Sequence, residues 1–215
     1  MGDLVTISRE YGSGGRLIGR LVAQKLGVPF YDNELITEAA QQSGLSEELI
    51  RTAELRAKSN FSYTLSSAIN FGEGMVGDGM SMNEKLFLTQ FDIITEIGLK
   101  GEGVIVGRCA DYVLRQIVDV TNVFIFAEME ERIERCVNVY GEDSGTVIDT
   151  IKSYDKARRN YYNYHTSQKW GDYRNYNLMI NSSRISEEAC ADMIVEYVTK
   201  RKEEKAKREA EKRGE

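Results

Sequence analysis

A chain of 215 residues that is 41% hydrophobic and 29% charged has enough apolar content for one globular α/β domain, with room for a small insertion. No apolar run approaches the roughly 20 residues of a membrane span, and no cationic segment followed by an apolar one opens the chain, so a cytoplasmic protein is expected. The net charge of -6 gives no reason to expect general nucleic-acid binding, and Cys109, Cys136 and Cys190, odd in number and widely spaced, argue against a disulfide framework or a zinc site.

The first element is the most informative. Residues 4–8 are a short β-branched run that predicts a strand, and Leu17, Ile18, Leu21, Val22 and Leu26 recur at helical spacing, predicting a helix over 15–25. Between them lies Glu10-Tyr11-Gly12-Ser13-Gly14-Gly15-Arg16-Leu17. A strand, a glycine-rich loop and a helix in that order make a phosphate cradle, because glycines let backbone N–H groups turn toward an anion and the helix adds the positive end of its dipole. Gly12, Ser13, Gly14, Gly15, Arg16 and Leu17 are the candidate cradle. The usual pattern G-x-x-x-x-G-K-[ST] is altered at its first glycine, its lysine and its hydroxyl, with Arg16 where the lysine would stand. Taken alone, such a turn is equally a flexible connection.

Further along, Val28-Pro29-Phe30-Tyr31 and residues 103–106, 123–127 and 177–181 read as short apolar strands. Helical patterns fall at 34–42, 47–58, 84–99, 130–140, 146–164 and 187–201. This alternation implies a mostly parallel sheet flanked by helices. Residues 59–83, rich in Ser, Gly, Met and Asn, read as a loop. Residues 200–215 are almost wholly Lys, Arg, Glu and Ala without an apolar stripe, so they are expected to form a charged, mobile extension rather than a coiled coil or an RNA-binding tail.

In a parallel α/β sheet, ligands sit at the carboxyl ends of the strands. Asp32 follows the second apolar run, while Arg108 and Asp111 follow the strand at 103–106. One anion cradle, one arginine and two carboxylates then converge on a single cleft. Asp32 also has the spacing of a helix N-cap, a role compatible with ligand contact.

With these residues in view, the chain resembles the cytidylate kinase-like proteins within the P-loop nucleoside monophosphate kinases, over most of residues 3–198. The likeness rests on Ile7-Ser8-Arg9-Glu10-Tyr11-Gly12-Ser13-Gly14-Gly15-Arg16, Pro29-Phe30-Tyr31-Asp32, Val106-Gly107-Arg108, and Asp155 with Arg158 and Arg159. The resemblance implies a P-loop kinase-like parallel sheet over 1–199, with an acceptor-binding insertion at about 33–100 and a helical lid at about 141–172. It also implies phosphoryl transfer from ATP with Mg2+ to a small acceptor, a nucleoside monophosphate above all. On that basis Gly12 to Arg16 would hold the donor phosphates, and Asp32, Arg108 and Asp111 would face the acceptor. Arg158 and Arg159, with Arg132 and Arg135 as lesser candidates, would supply lid cations. Phosphoryl transfer needs such cations on the three equatorial oxygens more than it needs covalent chemistry.

Residues 154–170 place Asp155 and Arg158 or Arg159 at i+3 and i+4, where an ordinary surface ion pair is the bland alternative. The tyrosines there read as packing, and His165, the only histidine, has no visible catalytic partner. Leu17 and Ile18 occupy the places of the metal-binding hydroxyl, which leaves Ser8, Ser13, a carboxylate or water to hold a metal ion, or no metal at all. Cys109, where a carboxylate is usual, is a second departure. Two function classes therefore stand: an ATP-dependent small-molecule kinase, and a non-catalytic nucleotide-sensing or partner-binding protein that retains the kinase fold.

Overall fold

The computed structural model describes residues 3–32 and 82–214. The helices expected at 34–42 and 47–58, and nearly all of the loop expected at 59–83, lie outside the described residues. Five strands, β1 (Leu4–Arg9), β2 (Phe30–Tyr31), β3 (Gly103–Val106), β4 (Thr121–Phe126) and β5 (Leu178–Asn181), form one sheet in the order β2-β3-β1-β4-β5. Every pairing is parallel, with Val5 opposite both Val104 and Thr121. The helices are α1 (Gly15–Leu26), α2 (Met82–Lys100), α3 (Ala110–Leu114), α4 (Met129–Asn138), α5 (Val147–Thr166) and α6 (Glu187–Arg213).

A parallel sheet is covered on both faces, so its central strands must be apolar on both. Val5, Ile7, Val104 and Val106 face Ile18, Val22, Ala191 and Ile194 of α1 and α6. Leu4 and Ile105 face Ile94 and Ile97 of α2 and Val113 and Leu114 of α3. The strict alternation of Val104, Ile105 and Val106 between these cores is the period-2 geometry of a strand. Because β1 lies centrally, with β2 and β3 on one side and β4 and β5 on the other, the strand order changes direction there, the point at which parallel sheets open a crevice at their carboxyl ends.

The expected elements are present within the described residues, with two additions: the five-residue α3 and a 3-10 turn at Tyr173–Asn175. The last helix does not stop at 201 but runs to Arg213. Its outer turns lack an apolar stripe, as read, yet Lys202 pairs with Asp3 at 2.7 Å, and Arg201 and Lys205 both pair with Asp119. Helix-forming residues and i,i+3 pairs such as Lys200 with Glu203 support the remainder. No helix among the described residues is long and apolar enough to cross a membrane.

Candidate active site

The glycine-rich loop follows β1 and enters α1 through left-handed backbone at Gly12 (φ 80°) and Gly14 (φ 78°). Three of its carbonyls are drawn outward. Arg132 Nε donates to the Tyr11 carbonyl at 2.7 Å, Arg135 Nη1 to that of Gly12 at 2.7 Å, and Ser182 Oγ to that of Ser13 at 2.8 Å. The N–H groups that open α1 have no carbonyl in a preceding turn, which is the state an anion-binding loop requires.

A buried ionic hub fixes this shape. Arg132 on α4, 5% exposed, also donates to Glu10 Oε2 at 3.1 Å and to Asp155 Oδ2. Asp155 Oδ1 accepts the Tyr11 N–H at 2.7 Å, and Glu10 Oε2 accepts that of Ala127 at 3.3 Å. Burial pushes the Glu10 carboxyl above its ordinary range, and Arg132 opposes the shift. Arg132 and Arg135, read as lesser lid cations, are therefore committed to the loop, with Arg135 also bonded to Glu187 at 2.9 Å.

Beside the loop, at the carboxyl ends of β1 and β3, lies a small cleft. Ser8 and Arg9 line it from β1, Gly107, Arg108 and Cys109 from the segment after β3, and Arg158, Tyr161, Tyr162 and Trp170 from α5 and its continuation. Gly107, Arg108 and Cys109 all have positive φ, at 86°, 53° and 57°. Two consecutive non-glycine residues in left-handed backbone are strained, and such strain persists where the surroundings enforce it, as at ligand sites. Arg108 lies over the Tyr161 ring, 5.8 Å from its centroid.

Arg9, within the motif that opens the chain, is a cleft residue that the glycine-rich pattern does not single out. Burial, followed by the proximity of Arg158 and Arg108, holds its guanidinium well below its ordinary range, while Asp32 pulls the other way. Its position at the carboxyl end of the first strand was the available signal.

The other assigned residues separate. Arg158 reaches the cleft, with Nη1 donating to the Arg9 carbonyl at 3.1 Å and lying 3.9 Å from Asp155 Oδ1. Arg159, about 100° further around the helix, is exposed and lies over Trp170 outside the cleft lining. Asp155 is thus the partner of Arg132 first and of Arg158 second. Arg16 and Asp32, assigned to opposite ligands, meet as an ion pair at 2.6 Å, with Arg16 half-exposed and Asp32 buried. His165 stacks on Phe87, a packing role.

Asp111 does not line the cleft. It is buried and accepts the Tyr162 hydroxyl at 2.6 Å, so it holds a residue of the cleft wall. Burial pushes its carboxyl up to about 6, with the Tyr162 hydrogen bond opposing. Between about pH 4 and about 6 the native state keeps a proton that the unfolded chain has lost, so this group's contribution to stability falls as pH rises through that window. Asp111→Asn should remove that fall: relative to the parent, the variant gains on the order of 2–3 kcal/mol between pH 4 and pH 7, read by urea denaturation at each pH. Parallel pH profiles for the two proteins would count against the assignment.

The residues fit a polyphosphate but not the usual magnesium site. Ile18 is fully buried in the core, Leu17 is half-exposed, and the Ser13 hydroxyl donates to the Glu10 carbonyl at 2.9 Å. Among the described residues no three His, Cys, Asp or Glu side chains cluster as metal ligands.

The fold is that of the P-loop kinases. An uncharacterized protein from Eubacterium ventriosum superposes with a TM-score of 0.69 at 25% identity, over 92% of this chain and 98% of that one. The shikimate kinase from Acinetobacter baumannii, solved with shikimate, gives 0.54 at 12% identity over 94% and 96%, and the one from Bacteroides thetaiotaomicron 0.51 at 14% over 92% and 98%. No curated protein matches. The model of the cytidylate kinase-like family matches residues 4–184, spanning both the glycine-rich loop and the arginines of the cleft, and the chain belongs to that family.

Proposed function

We propose that the protein is an ATP-dependent kinase that transfers a phosphoryl group to a small phosphorylated acceptor of the nucleoside monophosphate class. The observation that carries this reading is the cleft at the carboxyl ends of β1 and β3, where Arg9, Arg108 and Arg158 converge beside the glycine-rich loop. The N–H groups opening α1 and Arg16 hold the donor phosphates, and Arg108 holds the anionic group of the acceptor. Arg158 neutralises the group in transit, and the lid formed by residues 141–172 closes to keep water out. Asp32 orients Arg16 through their ion pair. ATP as donor and three free cysteines suit a cytoplasmic protein.

The test is a screen of nucleoside monophosphates and related phosphorylated metabolites with ATP, with and without magnesium, reading ADP release. At least one acceptor should stimulate release, and Arg108→Ala should raise its KM by about 10–100-fold, the loss expected for one charge-assisted pair. Tight nucleotide binding with no acceptor-dependent ADP release would favour a nucleotide sensor, the function that the apolar Leu17 and Ile18 would suit.

A further inference from the structure

We propose that Arg9 supplies to the donor phosphates the positive charge that a loop-bound divalent cation supplies elsewhere, so that nucleotide binding by this chain does not require a metal ion. The inference rests on the nucleotide-binding reading above.

The donor set is the first argument. The hydroxyl that would follow the loop cation is replaced by Leu17 and by Ile18, whose side chain is sealed in the core. Among the described residues, the two serines and four carboxylates nearest the loop are engaged within the protein. Ser13 and Ser182 donate to loop carbonyls, Glu10 and Asp155 are held by Arg132, Asp32 by Arg16, and Asp111 by Tyr162. Recruiting any of these carboxylates to a metal would break an ion pair or hydrogen bond that the fold already makes.

The second argument is the space made for Arg9. A Cβ at Gly15, the first residue of α1, would meet Arg9 Cβ at 2.6 Å, and one at Gly107 would overlap Arg9 Nη1. Two glycines in two different loops therefore clear one path, the first for the stem of the side chain and the second for its head. The guanidinium ends against the segment after β3, in the cleft that Arg108 and Arg158 also line.

Charge is the third. Arg108 and Arg158 line the same cleft as Arg9, and Arg158 Nη1 reaches the Arg9 carbonyl at 3.1 Å, so three guanidinium groups share one small space. Concentrating like charges in a desolvated cleft opposes folding, and such arrangements are retained where a ligand of opposite sign relieves them. A guanidinium presents a planar fork that can span oxygens of two adjacent phosphates, and their negative charge favours its protonated form.

Calorimetry of ATP with the full-length protein tests this, once in excess magnesium and once in excess EDTA. The two affinities should agree within about threefold, a difference of well under 1.4 kcal/mol. Arg9→Ala should lower the affinity in EDTA by about tenfold or more, shrink the ATP-induced rise in Tm, and leave the Tm of the unliganded protein unchanged or higher. A structural arginine would do the opposite to the unliganded Tm. Arg9→Lys, which keeps the charge but not the fork, should fall between, and it carries the test if the alanine variant does not fold. An affinity that collapses about tenfold or more when EDTA replaces magnesium overturns the inference while leaving the kinase reading intact. Unchanged EDTA affinity in both Arg9 variants also overturns it. No binding in either buffer overturns both.

Discussion

Arg158→Ala is expected to lower kcat about 10²–10³-fold while changing resting nucleotide affinity only a few-fold, the pattern of a contact made mainly in the transition state. Arg158 sits on α5, and its guanidinium is anchored by the Arg9 carbonyl at 3.1 Å and by the Tyr11 ring, 5.4 Å from the centroid. Those contacts hold it at the seam between loop and cleft without committing it to a tight ion pair, since Asp155 is 3.9 Å away and is taken by Arg132. A preorganised cation at that seam meets charge as it spreads over the transferred group, and it needs no reorganisation at that moment. Arg159 is the internal control. It is the next residue on the same helix, but it is exposed and lies over Trp170, so Arg159→Ala should keep kcat within about threefold of the parent. Steady-state kinetics with the acceptor found in the screen, together with calorimetry of nucleotide alone, separates the two variants. Equal losses in both, or a loss of binding that matches the loss of turnover, would remove Arg158 from the transition state.

The strand, loop and helix at the start of the chain were legible because they carry local signals: a β-branched run, glycines, then apolar residues at a period of 3.6. The parallel sheet followed from alternation of elements in the same way. α3 was not legible, because five residues are too few to establish a helical period. The ionic hub escaped for a different reason. Arg132 lies 121 residues from the carbonyl it holds at Tyr11, and Asp155 lies 144 residues from the N–H it accepts, so nothing in the local sequence links them. Arg16 and Asp32 were both recognisable as site residues, whereas their pairing depends on where β2 delivers Asp32 beside α1. Arg9 lies inside the motif, but the glycines and Arg16 account for the familiar phosphate-binding pattern without it. Its place in the cleft depends on the room that Gly15 and Gly107 leave for its stem and head, two positions distant from each other in sequence.

Arg132→Met should be the most damaging single substitution for stability, costing about 3–5 kcal/mol in urea denaturation, because it strands buried carboxylates instead of removing a balanced group. Arg132 is 5% exposed and serves Glu10, Asp155 and the Tyr11 carbonyl at once. Methionine fills much of the same volume but offers none of the donors, so the loss reports charge and hydrogen bonding more than a cavity. Adding Asp155→Asn should recover part of the loss, since a neutral amide no longer needs the counter-ion, and the recovered part is the coupling that a double-mutant cycle reads. The pH dependence is a second signature. Glu10 is already raised by burial with Arg132 opposing, and without Arg132 it is raised further. The native variant then holds a proton that the unfolded chain gives up, so its deficit should be smaller at acidic pH and widen as pH rises toward neutrality. The loop should suffer with the hub. The released Tyr11 carbonyl loses the donor that orients it, and ATP affinity should fall even under conditions where the variant is fully folded. A variant that loses stability but binds ATP as the parent does would mean that the hub serves the fold alone and that the loop holds its shape without it.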